Sequence, residues 1–441
     1  MTWQHVDDLP LQESIREVVK AQGITELYPP QQEALPLVME GHNVVLSVPT
    51  ASGKSLVAYL AIVDAALRGK KSLYIVPLRA LASEKWEDLQ PFRDLGVRVG
   101  ISTGDLDQAS SHLAGYHIVI CTSEKADSLL RHGAGWLSDV EIVVADEIHL
   151  VNDYSRGPTL EMVLTRLRVM NPDLQVIALS ATIRNADAIA TWLQARLVQS
   201  DWRPVPLKEG VFYRDTIYFL DGTEKTVAGK GATESLVTDI LEDGGQALVF
   251  VNSRRSAQRY AHKLMEAVDI FLDSERAVLR QAAEDICSPD DATVIAQKLA
   301  ECLEHGVAFH HAGLLHRHRT LIESLFRQRV LKCIVATPTL AAGVNTPARR
   351  VVMQHIYRYS GEAGCMVPIP LMEVKQAMGR AGRPGYDEVG EAVLLAKSRE
   401  EKHRLMEEYL RGEVEPVYSK LGSEPALRIH LLALIATNFA V

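Results

Sequence analysis

Short runs of Val, Ile and Leu recur along the chain between longer segments whose apolar residues return with the helical period. That alternation marks strands buried on both faces and joined by covering helices, which is the pattern of parallel sheet with right-handed crossovers. In the first part of the chain the clearest runs are NVVLSV (43–48), SLYIVP (72–77), HIVICT (117–122), EIVVAD (141–146) and QVIALS (175–180). A helix is expected from Ser55, with Leu56, Leu60 and Val63 apolar and Gly69 as its stop. The alternation lapses over 201–245, where Trp202, Arg203, Pro204 and Pro206 open a less periodic stretch, and a domain boundary is expected there. A second series follows: QALVFV (246–251), VAFHH (307–311), KCIVAT (332–337), RRVVMQ (349–354) and EAVLLA (391–396). Residues 254–305 are helical in pattern and longer than one crossover needs, which implies an inserted helical pair. The expected fold is α/β, with two tandem parallel-sheet domains over 1–200 and 201–420. The second carries a helical insertion at about 255–305 and a hairpin at about 350–371, and 421–441 opens a further unit.

Length and composition are compatible with this picture. At 441 residues, 47% hydrophobic and 23% charged, the chain can bury two or three cores and is not dominated by disorder. The net charge of -9 argues by itself against a generic polyanion binder. Charge is unevenly spread, however: residues 310–350 hold seven Lys or Arg against the single acid Glu323, a local +6. The five cysteines are scattered without a C-x-x-C pair, which fits a reducing, intracellular, cytoplasmic setting. The N-terminus MTWQHVDDLP lacks a basic region followed by an apolar core, and the apolar run 429–441 is broken by His430, Thr437 and Asn438, so neither a leader nor a membrane span is expected.

Chemistry enters at the loop after the first strand. Val48 is followed by Pro49, Thr50, Ala51, Ser52, Gly53, Lys54 and Ser55, a strand-to-helix junction whose backbone N–H groups suit phosphate oxygens. Lys54 suits the β- and γ-phosphates and the Ser55 hydroxyl suits Mg2+. The first glycine of the usual phosphate-loop pattern is replaced by Val48. EIVVADEIH then ends an apolar strand on Asp146 and Glu147, suited respectively to a metal ion and to orienting or deprotonating water. In the second half, QAMGRAGRPG offers Gln376, Arg380 and Arg383, whose guanidinium forks suit the charge that develops on a transferred phosphoryl group.

These motifs stand in an order that strongly resembles superfamily-two helicases. The first domain carries YPPQ (28–31), PTASGKS (49–55), VPLRALA (76–82), TGD (103–105), TSEK (122–125), DEIH (146–149) and SAT (180–182). The second carries VFVNSRR (249–255), FHHAGL (309–314), ATPTLAAGVN (336–345) and QAMGRAGR (376–383). The details most resemble the Ski-like branch, in particular archaeal DNA-repair helicases related to the Mer-type and polymerase-theta helicase domains. The resemblance implies two RecA-like domains of the P-loop NTPase class, followed by the first helix of a winged-helix domain.

It also implies a nucleic-acid-dependent ATPase that uses ATP and Mg2+, moves 3′ to 5′ on single-stranded DNA and acts in DNA repair or at stalled forks. Gln31 would recognise adenine, Ser55 and Asp146 would serve the metal, and Gly343 and Asn345 would lie near the ribose and γ-phosphate. His149, Ser180 and Thr182 would couple nucleotide state to strand movement. Pro77, Arg79, Thr122, Ser123, Ser253, Arg254, His311, Gly313 and Thr337 match positions that grip the nucleic-acid backbone. Tyr357, Tyr359 and Met366 fall on two strands flanking SGEAG, where the family carries a strand-separating hairpin. The expected partners are single-stranded and forked DNA, with repair or single-strand-binding proteins, no membrane, and a monomeric state. An RNA helicase of the same branch and a protein-displacing translocase are the alternatives.

Overall fold

The apolar runs of the first half form strands because their residues are covered from both sides. In β1 (Val44–Ser47), β4 (Ile118–Thr122) and β6 (Gln175–Ser180) every residue is buried, and β2 (Lys71–Val76) and β5 (Val140–Ala145) each have a single half-buried position. Two less apolar strands, β3 (Val99–Ser102) and β7 (Arg196–Gln199), form the edges of an all-parallel sheet in the order β3-β4-β2-β5-β6-β1-β7. The helix Lys54–Leu67 is buried on nearly every side, from Val57 to Ala66, and ends at Arg68 before Gly69, which adopts φ +76°.

The computed structural model describes residues 3–104, 111–287, 293–338, 346–361 and 364–437. The chain divides into two compact units, Met1–Trp202 with Glu415–Val441, and Arg203–Val414.

In the second unit the stretch that reads as aperiodic also contributes sheet. β8 (Leu207–Tyr213) runs parallel to β17 (Gly390–Ala396) over seven paired residues, while β9 (Thr216–Phe219) and β10 (Glu224–Thr226) extend the edge antiparallel. With β11 (Ala247–Phe250), β12 (Val307–His310), β13 (Cys333–Ala336) and β14 (Arg350–Met353), the order is β10-β9-β8-β17-β14-β11-β13-β12. Arg350 is fully buried in the centre of this sheet. It is held by Glu391, by Asp239 at 2.7 Å and by the Leu236 carbonyl at 2.7 Å. Three helices, Arg254–Asp269, Arg276–Ile286 and Val294–Glu304, fill the expected insertion, and the last two pack on each other as a pair.

The hairpin is shorter than the expected 350–371. β14 belongs to the large sheet, and only β15 (Tyr357–Ser360) and β16 (Cys365–Pro368) pair with each other. The C-terminal segment returns to the first unit: Asn185 exchanges two 2.8 Å hydrogen bonds with Val417, and Ser419 donates to Glu161. The helix Glu424–Ala436 packs beside Gly157–Met170. No helix among the described residues is long and apolar enough to cross a membrane.

Candidate functional site

Lys54, Ser55, Asp146, Glu147 and Ser180 in the first unit, and Ser253, His311 and Thr337 in the second, stand at or just beyond the carboxyl ends of parallel strands, where open α/β sheets bind ligands. In the first unit Ser47 closes β1. Its Oγ donates to the Ala181 carbonyl and accepts from the Ile183 N–H, both at 3.3 Å, pinning the strand end to the segment after β6. Val48 stands where a phosphate loop usually has glycine. Its N–H bonds the Ser180 carbonyl at 3.2 Å, so the position still belongs to the ladder and needs no unusual backbone. The chain then turns through Ala51 at φ +67° and Gly53 at φ +72°, with the Ser52 hydroxyl on the Pro49 carbonyl at 2.5 Å, and Lys54 starts the helix. A Cβ at 53 would also lie 2.3 Å from Gln31 Nε2, so any side chain there would displace the Gln31 amide. Gln31 bridges the helix start and the loop, its Nε2 donating to the Gly53 carbonyl at 2.9 Å and its Oε1 accepting from the Tyr28 N–H at 2.8 Å. The Tyr28 ring in turn lies 4.7 Å from that of Trp202.

The two acids follow β5. The Asp146 N–H extends the ladder to the Ile75 carbonyl, and Glu147 then adopts φ +53°, ψ +48°. That left-handed conformation costs a non-glycine residue about 1–2 kcal/mol. Asp146 accepts from the Glu147 N–H at 3.0 Å and from the Tyr74 hydroxyl at 3.2 Å. Burial pushes its carboxyl up, Lys85 pulls it down, and Glu147 raises it again. Glu147 Oε2 lies 3.6 Å from Lys54 Nζ and 3.4 Å from His149 Nδ1. His149 Nδ1 also lies 3.2 Å from Ser180 Oγ, and burial pulls the imidazole down to about 4, so it is neutral at physiological pH. Thr182 sits half-buried just beyond β6.

This arrangement fits a metal–nucleotide complex. Lys54 Nζ is buried and has no hydrogen-bond partner among the described residues, and the hydroxyl and carboxylate of Ser55 and Asp146 are the hard oxygen donors that Mg2+ prefers.

A network that the motifs do not reveal lies beside these groups. Lys85 donates to Ser55 Oγ at 3.2 Å and stands 3.9 Å from Asp146 Oδ2. Burial opposes its charge, but Glu84, Tyr74 and Asp146 outweigh that and hold the ammonium above its usual range. Behind it, the Tyr59 hydroxyl donates to Asp88 at 2.7 Å. One signal was available: on the helix Arg79–Leu89, Lys85 shares the buried face of Leu81, Ala82 and Leu89, a place where a cation needs a charged partner.

Of the candidate backbone-gripping residues in this unit, Pro77 follows β2, Arg79 opens the helix Arg79–Leu89, and Thr122 caps the helix Ser123–Arg131 through a 3.3 Å bond from the Lys125 N–H. Helix N-termini at two neighbouring strand ends are suited to phosphate.

In the second unit Ser253 caps the helix Arg254–Asp269, accepting from the Ser256 N–H at 3.1 Å. His311 follows β12 and takes the Gly313 N–H on Nδ1 at 3.1 Å. A Cβ on Gly313 would lie 3.3 Å from the Arg254 guanidinium, so Arg254, His311 and Gly313 form one cluster. Thr337 follows β13, its N–H on the His310 carbonyl at 3.2 Å. Gln376 lies in the helix Leu371–Met378, and Arg380 and Arg383 come after its end. The Arg383 fork is engaged inside its own unit, with Nε and Nη2 on Asp387 at 2.8 and 2.7 Å and Nη1 on Gln246 at 2.5 Å. Arg380 is half-buried. Tyr359 and Met366 are exposed on the hairpin, whereas Tyr357 is half-buried beneath the Arg404 guanidinium, 5.7 Å from its ring. Gly343 and Asn345, and Asp105 of the TGD motif, lie outside the described residues.

Comparison with known proteins agrees with this geometry. A DEAD/DEAH box helicase model matches residues 28–189, and a helicase conserved C-terminal domain model matches residues 232–385. The ATP-dependent DNA helicase Hel308 of Methanocella arvoryzae is 48% identical over 98% of this chain, and that of Pyrococcus horikoshii 47% identical over 99%. Hel308 of Pyrobaculum calidifontis is 46% identical over 99%. The chain spans 60% of the length of the first two of these relatives and 61% of the third. With both helicase domains matched in tandem, and close to half of its residues shared with these proteins along nearly its whole length, the chain belongs to the superfamily-two helicases.

Proposed function

We propose that this chain is the ATP-driven motor of a DNA helicase, moving 3′ to 5′ along single-stranded DNA and acting in DNA repair or on stalled forks. The observation that carries the reading is the convergence of the Lys54 ammonium, the Ser55 hydroxyl and the Asp146 and Glu147 carboxylates at the ends of β1 and β5. Relatives named ATP-dependent DNA helicases support the choice of ATP and DNA.

In this reading the loop 49–53 and the N-terminus of the helix Lys54–Leu67 hold the phosphates, Lys54 neutralises the β- and γ-phosphate charge, and Gln31 meets the adenine. Mg2+, held by Ser55 and Asp146 and bound with the nucleotide, would neutralise phosphate charge and orient the transferred group. Glu147 orients a water and takes its proton as the water oxygen bonds to the γ-phosphorus; the bond to the bridging oxygen breaks, and ADP leaves with that electron pair. Gln376, Arg380 and Arg383 keep the role that the helicase resemblance implies, supplying hydrogen bonds and positive charge to phosphate, and Arg383 has to exchange its bonds to Asp387 and Gln246 to take it. Gly343 and Asn345 keep the ribose and γ-phosphate role that the same resemblance implies. The Glu147–His149–Ser180 chain, with Thr182, passes the state of the γ-phosphate to the end of β6.

The helix starts at Arg79 and Ser123, with Pro77 and Thr122, and the group Ser253, Arg254, His311, Gly313 and Thr337 hold the strand by its phosphates. Binding is then indifferent to sequence and sensitive to salt. ATP turnover measured without nucleic acid, with single-stranded DNA and with matched single-stranded RNA tests the reading. DNA is expected to stimulate turnover and RNA to do so weakly; a rate indifferent to all three overturns it.

A further inference from the structure

Lys85 has a relationship to the proposed metal site that packing does not explain. Its Nζ faces both groups assigned to the metal, donating to Ser55 Oγ at 3.2 Å and lying 3.9 Å from Asp146 Oδ2. Asp146 does not need it as a hydrogen-bond donor, because the Tyr74 hydroxyl and the Glu147 N–H already serve that carboxylate. An apolar residue would match the face that Lys85 shares with Leu81, Ala82 and Leu89. What the ammonium adds is a fixed positive charge next to two oxygen ligands, with Glu84 Oε1 at 3.2 Å as a second anchor.

We propose that Lys85 is a positioning residue that makes metal binding at Ser55 and Asp146 depend on the nucleotide. Its charge keeps the two ligands in place while repelling a bare divalent cation, and the phosphates of the nucleotide supply the negative charge that offsets the repulsion. The site thus favours the metal–nucleotide complex over the metal alone. This inference rests on the ATP-site reading above.

The test uses the full chain and Mn2+ as the probe, with free Mn2+ counted by electron paramagnetic resonance in the absence and presence of ADP. Wild type is expected to bind Mn2+ weakly alone and much more tightly with ADP. Lys85→Gln removes the charge but keeps a polar side chain; it is expected to bind Mn2+ alone about tenfold more tightly and to lose about the same factor from the tightening by ADP. Lys85→Arg keeps the charge and is expected within about twofold of wild type. Lys85→Met serves as a second neutral variant if Lys85→Gln does not fold, as judged by circular dichroism. Neutral variants with wild-type Mn2+ behaviour, or a Lys85→Arg shift as large as that of the neutral variants, overturn the inference. If wild type itself binds no Mn2+ with ADP present, it is the ATP-site reading that fails.

Discussion

Tyr359 and Met366 stand directly opposite each other across the β15–β16 hairpin, and both are exposed, at 66% and 48% of their surface. Directly opposed side chains on one face of an antiparallel pair are close neighbours, so the two form a single apolar surface on a short ribbon. Isolated apolar side chains at a surface are common, but a ring paired with a thioether on a two-stranded ribbon is suited to stacking on a base. Replacing both by Ala is expected to lower strand separation roughly tenfold while leaving DNA-stimulated ATP turnover within about twofold, because base stacking is lost but the ATP site is untouched. A forked-duplex unwinding assay run beside an ATPase assay checks this. Equal loss of both activities would assign the hairpin to folding.

Stability should fall on mild acidification because two buried imidazoles resist protonation, His149 in the first unit and His311 in the second. Burial holds His149 at about 4 against an ordinary 6.5, and His311 is likewise held at about 4. Between those values the unfolded chain binds a proton at each position that the folded chain refuses, so stability is lost as pH falls through this window. Each group contributes up to about 1.4 kcal/mol per pH unit. Melting temperatures taken from pH 7 to 4.5 are expected to drop less steeply for His149→Gln than for wild type. Parallel curves would contradict the buried, neutral imidazole.

The buried cation of the second sheet should matter far more than exposed ones. Arg350→Ala leaves Asp239 and Glu391 facing each other without their shared guanidinium and is expected to cost about 3–5 kcal/mol. Arg68 pairs with Asp64 and Glu141 but is half-exposed, so Arg68→Ala is expected to cost under about 1 kcal/mol. Denaturant titration of the two variants separates the cases, and comparable losses would contradict the assignment.

The parts legible in the sequence are those whose signal is local. The five strands read in each half are all present, because a strand covered on both faces is a contiguous apolar run. β3 and β7 escape that reading because edge strands keep exposed positions, and β8 because its seven-residue pairing is with β17, far along the chain. The Lys54–Ser55 turn and the Asp146–Glu147 pair are contiguous motifs and readable as such. Lys85 and Tyr74 are not, since only tertiary packing brings a helix lysine and a strand tyrosine onto the same carboxylate. Nor does spacing reveal that the Arg383 fork is held by Asp387 four residues on, since a basic turn shows its charge but not its partner.

In the proposed function Glu147, 3.6 Å from Lys54 and held in a strained backbone conformation, is the base that drives ATP hydrolysis. The most direct measurement is ATP turnover at saturating single-stranded DNA for wild type and Glu147→Gln, with strand affinity measured on the same samples. Glu147→Gln is expected to lower turnover by about 10²–10³ with DNA affinity retained within a few fold. Turnover within about twofold of wild type would contradict it.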